Sequence, residues 1–463
     1  MMLLLRLAAC STWFVEDDGV EITVTNEVAT PYREGGPDVV LIVLDTLRAD
    51  HLSQAGYPLE TSPGLDKLSE RSVRFESAWA PSPWTVPSTT SILTGQHPLR
   101  HQLRRYGDVL SPDVNTLAER VRLAGWHTLA WSYNVSVAPR LGHAQGFDKF
   151  TKNTGRVLGY LPAGRMTQHA IDWVGTPRTE PSFLYLQPMN CHGPYRVPKA
   201  DRKRLLGRPP DPRFVYYAGP MGRILKGSLL SARDRVDEAY LTSLREQYDT
   251  AIRYETDQIG LLIDALDDAG RLDGALVILT SDHGEELFEH GGFSHGYSLH
   301  QEVLHVPLWV KFPGQRTEVV VTDPVSTVDV TPTVLDVLGV SDTSLDGRSL
   351  APYQAGSGAL PPRPLLFDVH WPKRIVAQGV SDGGWKYLRI DHDYQGRRGT
   401  EELFDIVADP DELVELSGGE PARIASMRSL LEGLVGQFSG GVLPANVLSE
   451  MDREQLEALG YLE

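Results

Sequence analysis

The chain has 463 residues, of which 41% are hydrophobic and 23% charged, a composition typical of a soluble globular protein with one large and one smaller domain. Its formal net charge of −17 argues against a nucleic-acid-binding surface, because phosphate backbones are bound by clustered lysines and arginines. An anionic substrate remains compatible with this charge, since one bound metal ion can reverse the sign of a pocket. With only two cysteines, Cys10 and Cys191, a disulfide framework and a cysteine-rich metal site are excluded.

The first ten residues resemble the end of a bacterial lipoprotein signal, with Leu7-Ala-Ala-Cys10 placed like a lipobox. The apolar segment is too short to span a bilayer, and Arg6 interrupts it. One interpretation is an exported protein, periplasmic or anchored to the membrane by a lipid on Cys10. The alternatives are a frayed N-terminus, as in a cytoplasmic protein, and a truncated reading of a longer signal. Residues 1–36 are predicted to form a leader.

The first strong strand signal is the apolar run Pro37-Asp-Val-Val-Leu-Ile-Val-Leu-Asp45. A run that is apolar on both faces is typical of a central parallel strand covered by helices. Asp45 is then predicted at the carboxyl end of this strand, where open α/β sheets bind their ligands.

Thr85 follows at the predicted start of a helix, in the segment Ala80-Pro-Ser-Pro-Trp-Thr-Val-Pro. A helix N-terminus presents unpaired N–H groups and the positive end of a dipole, so an anionic group binds there readily. The Thr85 hydroxyl could ligate a metal and attack a phosphorus or sulfur centre. The structural alternative is a helix-capping threonine, since threonine and proline both favour the first turn.

Helical and strand-like patterns then alternate as far as a second strong strand, Gly274-Ala-Leu-Val-Ile-Leu-Thr-Ser-Asp282. This strand repeats the design of the first and delivers Asp282 and His283 at its carboxyl end. Residues 196–235 are rich in Pro, Gly and Arg and are predicted to form a long surface excursion. Further strands are predicted at 127–132, 182–187 and 307–312, and helices at 63–70, 115–124, 241–269, 328–338 and 421–438.

These patterns predict four parts after the leader. Residues 37–350 form the α/β domain, and residues 351–363, rich in Gly, Ala and Pro, read as a linker. Residues 364–440 are predicted to be a small antiparallel sheet with a helix, and residues 441–463 a tail.

Asp45, Thr85, Asp282 and His283 together offer two carboxylates, a hydroxyl and an imidazole. Such a mixed set of oxygen and nitrogen ligands suits one divalent cation, either Ca²⁺, Mn²⁺, Mg²⁺ or Zn²⁺. Each residue alone can be explained as a turn or cap residue. Their joint appearance on an α/β pattern favours a metal site.

The motifs that carry these residues resemble the sulfatase family of the alkaline phosphatase superfamily. The resemblance covers roughly residues 37–415 and includes the segments Asp45-Thr-Leu-Arg-Ala-Asp-His-Leu, Pro-Trp-Thr85-Val-Pro-Ser-Thr-Thr-Ser-Ile-Leu-Thr-Gly, Cys-His192-Gly-Pro-Tyr, Thr-Ser-Asp282-His-Gly-Glu and Glu402-Leu-Phe-Asp-Ile-Val-Ala-Asp-Pro. It implies a doubly wound, mainly parallel sheet flanked by helices, with a small C-terminal α+β domain. It also implies one divalent metal held by the acids and the imidazole above, Asp45, Asp282 and His283.

The chain departs from the sulfatase pattern at three positions. Thr85 stands where sulfatases carry a Cys or Ser that is oxidised to formylglycine, so no formylglycine is expected. Thr89 replaces the arginine of the same motif, and Thr46 replaces a second acid. Threonine nucleophiles at this position belong to phosphodiesterase and phosphotransferase branches of the superfamily.

The predicted function is metal-dependent hydrolysis of sulfate or phosphate esters, mono- or diesters, with Thr85 as the nucleophile. The substrate would be an anionic ester of a small molecule, glycan or lipid headgroup. His192 and His295 are candidates for binding it and protonating the leaving oxygen. Asn134 either lines the pocket or closes a turn. Two alternatives remain: a transferase acting on envelope lipids or glycans, and a non-catalytic binding protein.

Several other side chains can have either a structural or a functional role. Arg48 is expected to brace the first loop through an ion pair, and Trp84 either walls the pocket or fills the core. Lys386 could reach the site from the small domain, but a solvated lysine is the simpler expectation. Three further histidines are predicted to be surface or core residues: His290, His300 and His305.

Overall fold

The computed structural model describes residues 20–25, 32–105, 107–154, 162–207, 236–356, 358–371, 375–393 and 396–438. The predictions for Cys10, for most of the leader, for the C-terminal tail and for the greater part of the 196–235 excursion lie outside these ranges. Within them, no helix combines the length and the apolar character needed to cross a bilayer.

Helices and strands alternate along the described chain. The helices are α1 (Asp66–Ser69), α2 (Thr85–Thr94), α3 (Pro98–His101), α4 (Leu117–Leu123), α5 (Ala163–Gly175), α6 (Lys199–Leu206), α7 (Glu238–Asp268), α8 (Gln301–Leu304), α9 (Val330–Val337) and α10 (Pro421–Phe438). The strands are β1 (Val20–Thr25), β2 (Val39–Leu44), β3 (Val73–Phe75), β4 (Ala78–Trp79), β5 (His127–Ser132), β6 (Lys149–Thr154), β7 (Ser182–Gln187), β8 (Leu276–Ser281), β9 (Glu286–Leu287), β10 (Phe293–Ser294), β11 (Leu308–Lys311), β12 (Val319–Val321), β13 (Val325–Ser326), β14 (Leu365–Trp371), β15 (Ile375–Asp382), β16 (Trp385–His392) and β17 (Arg398–Asp405).

The main sheet of the described chain has nine strands in the order β1-β6-β5-β7-β2-β8-β11-β3-β12. The pairs from β6 to β8 are all parallel, whereas β11 runs antiparallel to both of its neighbours. All six residues of β2 are buried, and they alternate between two hydrophobic clusters on opposite faces of the sheet. One face is covered by α5 and α7 and the other by α2, α4 and α9. The predicted doubly wound α/β fold is thereby confirmed.

The small domain is a four-stranded antiparallel sheet in the order β14-β15-β16-β17. One face packs on Trp79, Trp84 and Leu299 of the main domain, and the other face packs on α10. Between the two domains, the stretch predicted as a linker begins with a 3-10 helix at Ala351–Ala355, whose Tyr353 is buried against the main domain. The start of this stretch is therefore packed against the main domain.

Helix α2, which begins at Thr85, is held from both sides by buried histidines. His143 Nδ1 accepts from the backbone N–H of Ala138 at 3.3 Å, and its Nε2 lies 3.0 Å from the Thr90 hydroxyl oxygen. His101 Nε2 lies 3.0 Å from the Ser91 hydroxyl oxygen. Burial lowers the pKa of both imidazoles to about 3. Both rings are therefore neutral in the folded protein at every pH above about 4.

Because these two histidines stay neutral in the folded protein, we expect the free energy of unfolding to decrease in mild acid. Unfolded histidine takes up a proton near pH 6.5 and the buried ring does not, so stability falls as the pH drops below about 6.5. We expect each ring to cost about 1.4 kcal/mol at pH 5.5 relative to pH 7.5. Urea unfolding of the wild type and of His143→Gln at both pH values measures the effect. An equal pH dependence in the two proteins would contradict the prediction.

Candidate metal centre and active site

The predicted ligands converge because two of them follow neighbouring strands. Asp45 comes directly after β2, and Asp282 with His283 comes directly after β8. The two strands are parallel partners in register from Val39 with Leu276 to Leu44 with Ser281, so their carboxyl ends meet at one edge of the sheet. The first residue of α2, Thr85, is brought to the same edge, and its hydroxyl oxygen lies 3.2 Å from His283 Nε2.

The two turns after these strands are tightly specified. Thr46 adopts a positive φ of 62°, and its backbone N–H points to Asp282 Oδ1 at 3.4 Å. Gly284 donates its N–H to the Val303 carbonyl at 3.0 Å, and a Cβ at this position would lie 2.0 Å from the Glu302 carbonyl oxygen. Only glycine fits there, which explains the Asp-His-Gly sequence physically.

The donor atoms of this site fit a cation. His283 Nδ1 faces the Gly284 carbonyl at 2.9 Å; a carbonyl can only accept, so the neutral ring presents the Nε2 lone pair. Nε2 lies 3.7 Å from Asp45 Oδ1 and 3.6 Å from Asp282 Oδ2. Asp45 Oδ1 is buried without a hydrogen-bond partner. Three lone-pair donors thus face one another, an arrangement that a divalent ion would satisfy.

The shifted pKa values of the site residues also favour a bound cation. Burial, followed by the nearby charges of Asp282, Glu285 and Glu255, raises the pKa of Asp45 well above its usual value. Burial also raises the pKa of Asp282 and lowers that of His283. Clustered carboxylates in a dry pocket are costly unless a positive charge offsets them. A divalent cation held by Asp45, Asp282 and His283 would supply that charge.

The other predicted site residues surround this centre. The Asn134 side-chain amide donates to Asp45 Oδ2, while its oxygen accepts from the Ser136 N–H at 2.6 Å. Asn134 therefore closes a turn and at the same time touches a candidate metal ligand. His295 lies between the other two imidazoles, with ring centroids 4.4 Å from His283 and 4.9 Å from His192.

The chain matches a known protein family. The family model described as Sulfatase matches residues 37–340. The chain belongs to the sulfatase family. It is therefore a member of a family of hydrolases that act on ester bonds.

Curated relatives extend along most of the chain. Arylsulfatase K of Rattus norvegicus is 26% identical, the match covering 86% of this chain and 78% of that protein. Choline-sulfatase of Rhizobium meliloti (strain 1021) is also 26% identical, with 83% of each covered.

Solved structures share the fold at lower identity. The phosphonate monoester hydrolase of Agrobacterium radiobacter superposes with a TM-score of 0.68 at 21% identity, covering 90% of this chain and 98% of its own. The protein BT4656, solved with its substrate D-glucosamine-2-N,6-O-disulfate, superposes with a TM-score of 0.70 at 18% identity, covering 87% and 98%. These two likenesses show the fold.

In this sulfatase-family chain, a network of neutral side chains surrounds Asp282. The Thr89 hydroxyl lies 3.4 Å from Asp282 Oδ2, and the side-chain amide of Gln187 lies 3.4 Å from the same oxygen. The Gln187 oxygen accepts from the Tyr185 hydroxyl at 2.6 Å. These three buried side chains orient Asp282 without adding a positive charge.

Sequence reasoning missed Gln187 and Glu285. Gln187 ends strand β7 just as Asp45 follows β2, so the search for polar residues at strand ends could have found it. Glu285 stands two residues after His283, and its Oε1 lies 3.4 Å from His295 Nδ1. Its position inside the Asp-His-Gly-Glu motif was a signal, but the spacing alone does not reveal which imidazole it contacts.

Two of the residues considered above lie outside the candidate metal centre. Arg48 braces the first loop as expected, pairing with Asp50 at 2.7 Å and with Glu289 at 2.6 Å. Trp84 is buried and packs against Trp371 of the small domain with ring centroids 5.0 Å apart, so it belongs to the interface between the domains.

The expectation of a solvated Lys386 is wrong. Its side chain is fully buried and pairs with Glu412 at 2.7 Å. His290 and His300 stack with ring centroids 3.8 Å apart beside the same glutamate, and the nitrogen Nε2 of His305 lies 2.8 Å from the Glu76 carbonyl oxygen.

Proposed function

We propose that this protein hydrolyses sulfate or phosphate esters with Thr85 as the nucleophile and one divalent cation as cofactor. The observation that carries the proposal is the position of the Thr85 hydroxyl. It lies at the N-terminus of α2 and 3.2 Å from His283 Nε2, at the edge of the Asp45–Asp282–His283 cluster. A hydroxyl placed beside a cation site and a helix dipole is suited to attack an anionic centre.

When bound, the cation would supply the positive charge that lowers the pKa of the Thr85 hydroxyl and offsets the charge of the transferred group. The first turn of α2 also favours an anionic group beside Thr85. Since Thr85 and Trp84 are buried, the turn holds the hydroxyl in one place before substrate arrives. The described side chains at the centre carry no lysine or arginine, so the cation would be its main positive charge.

His295 is suited to act as the general acid. Its Nδ1 faces the Glu285 carboxylate at 3.4 Å, so Nδ1 carries the proton that is donated to this oxygen. The Glu285 carboxylate thereby fixes the orientation of the imidazole, as the acid of a catalytic triad does. Nε2 of His295 would then protonate the leaving oxygen.

His192 is suited to contact the substrate through Nε2, which would accept a hydrogen bond from a hydroxyl of the substrate's alcohol part. Its Nδ1 lies 2.7 Å from the Gly193 carbonyl and donates to it, which fixes the ring. Burial, followed by the charge of His295, lowers the pKa of His192 to about 4. The ring is therefore neutral near pH 7 and leaves the role of acid to His295.

The proposed hydrolysis takes place in two steps. An oxygen–sulfur or oxygen–phosphorus bond forms at Thr85 while the bond to the leaving oxygen breaks. The hydroxyl proton of Thr85 passes to solvent water, and the leaving oxygen takes a proton from His295. Water then displaces Thr85 from sulfur or phosphorus, and protons return to Thr85 and His295.

The names of the relatives support an anionic ester as the substrate. Choline-sulfatase is named for a small sulfated molecule, and BT4656 was solved with a sulfated glucosamine. The phosphonate monoester hydrolase indicates that the fold also serves phosphorus centres. We therefore propose a sulfate or phosphate ester of a small molecule or glycan, with no formylglycine.

The test is turnover by metal-analysed protein on a matched panel. Aryl sulfate, phosphate monoester, phosphate diester and phosphonate substrates sharing one leaving group are compared with Ca²⁺, Mn²⁺, Mg²⁺ or Zn²⁺ added. We expect turnover of at least one ester and none after chelation. Fully metallated protein that hydrolyses none of them would instead favour a binding role for this fold.

The role of His295 predicts a dependence on the leaving group. His295→Ala should lower kcat/KM for alkyl esters by about 10²- to 10³-fold, because alkoxides need protonation to leave. Aryl esters with nitro groups should lose about tenfold or less, because nitrophenolate leaves unprotonated. Equal losses for both classes would contradict the role of general acid. Glu289→Gln, in the same loop but facing Arg48, serves as the control.

A further inference from the structure

The loop that carries His295 contacts the small domain through the ring pairs Tyr297–Trp371 and His300–Phe404, and through hydrogen bonds to one residue of that domain. We define the histidine loop as residues 285–301. Its regular structure consists of the two-residue strands β9 and β10 and of Gln301, the first residue of α8. Glu412, which follows β17 of the small domain, reaches both arms of this loop. Its side chain is 1% exposed.

The contacts of Glu412 join the loop near its two ends. Its Oε2 accepts from the backbone N–H of Gln301 at 3.0 Å and lies 3.3 Å from His300 Nδ1. Its carbonyl oxygen accepts from His290 Nε2 at 3.1 Å. The other nitrogen of His290 lies 2.9 Å from Glu302 Oε1. A single residue thus holds positions 290, 300 and 301 in one arrangement.

Glu412 is itself rigidly placed. Its Oε1 accepts from Lys386 Nζ at 2.7 Å, and both side chains are fully buried. The ammonium lies 5.4 Å from the ring centroid of Trp79 and 5.7 Å from that of Phe367, at the interface between the domains. Burial raises the pKa of Glu412, but the charge of Lys386 and the other favourable contacts outweigh it, so the pKa of this carboxyl is lowered to about 2. The ion pair persists over the whole physiological pH range.

The histidine loop needs such support because its backbone is strained. Phe288 and Ser294 have φ of 88° and 73°, a backbone region that residues other than glycine rarely adopt. Ser294 immediately precedes His295. Strained conformations persist only where surrounding contacts determine them, and each costs about 1–3 kcal/mol.

We propose that Glu412 is a positioning residue that fixes His295 at the catalytic centre by holding positions 290, 300 and 301 of the histidine loop. The small domain then forms part of the active site although Glu412 does not touch the substrate. This inference rests on the proposed role of His295 as the general acid. A displacement of His295 by about 1 Å would be enough to lower the rate, since proton transfer needs hydrogen-bond distance.

Two variants test the proposal. Glu412→Ala removes the side-chain contacts with His300 and Gln301 and keeps the backbone contact with His290, but it leaves the Lys386 ammonium buried without its partner, which can prevent folding. The double variant Lys386→Met with Glu412→Leu removes both charges and keeps the volume filled, and it is the main test. Asp368→Asn is the control, because Asp368 pairs with Arg104 across the same interface at 2.6 Å without touching the histidine loop.

The double variant should keep its metal content and lower kcat for alkyl esters by about 10- to 100-fold. Nitrophenyl esters should lose far less, as with His295→Ala. When Lys386→Met and Glu412→Leu are added to His295→Ala, kcat should fall by less than about twofold further. The reason is that Glu412 is proposed to act through the imidazole that His295→Ala has already removed. Hydrogen exchange of peptides from the histidine loop should rise in the double variant and stay unchanged in Asp368→Asn.

The outcomes separate the two proposals. If His295→Ala shows no dependence on the leaving group, the proposed role of His295 fails. If His295→Ala shows it but the double variant retains wild-type kcat, or if their losses multiply when combined, the inference about Glu412 is overturned. Equal kinetic losses in Asp368→Asn would also overturn it, since loosening of the domain interface would then suffice.

Discussion

Thr85→Ala is expected to reduce the turnover of ester substrates by about four orders of magnitude or more, because the substitution removes the proposed nucleophile. Metal content should stay close to that of the wild type. The cluster of Asp45, Asp282 and His283 remains, and Thr85 contributes one neutral oxygen at most. Elemental analysis and steady-state kinetics on the same preparations measure both quantities.

Thr85→Ser is the matched control. It keeps the hydroxyl and the start of α2 and should retain measurable turnover. Rapid quenching of the wild type during turnover should yield a peptide containing Thr85 with a sulfo or phospho group attached. Undiminished activity of Thr85→Ala with the best substrate would show that another group attacks.

The second large effect is expected for Asp282→Asn. The substitution keeps the size of the side chain but removes one of two anionic ligands, so affinity for the divalent cation should fall by about two orders of magnitude or more. Isothermal titration of chelator-treated protein with the metal alone measures this without any substrate. Asp249→Asn is the control, because this carboxylate is also buried but pairs with His51 at 2.8 Å away from the cluster.

The metal-free proteins should differ as well. Burial raises the pKa of Asp282, so the folded metal-free protein holds a proton that the unfolded chain loses above about pH 4. Stability of metal-free wild type should therefore fall as the pH rises from about 4 toward the raised pKa. Asp282→Asn should show a smaller loss, since the raised pKa of Asp45 remains. Identical metal affinity in Asp282→Asn and wild type would remove Asp282 from the ligand set.

The sequence was sufficient to predict the parts of this molecule that depend on local pattern. The strands β2 and β8 are uninterrupted apolar runs, and a polar residue at the end of each marks the sheet edge where ligands gather. The prolines around Thr85 likewise indicate the start of α2. In each case one short segment contains the whole signal.

Features that depend on distant partners were not predictable in this way. The apolar run of β11 indicates a strand but not its direction, which is antiparallel to β8 and β3. Lys386 has an ordinary sequence context, and its burial follows from Glu412, twenty-six positions later. Gln187 and Glu285 orient site residues through contacts that no periodicity records.

The strand order of the main sheet has a consequence for synthesis. Strand β2 leaves the ribosome early, yet its two partners, β7 and β8, are translated much later. Until then its edges are open and its apolar faces uncovered, which makes the nascent chain a template for aggregation. We therefore expect biogenesis of this protein to depend on chaperones that shield β2. No cation can be captured by the full ligand set before residue 283 has emerged.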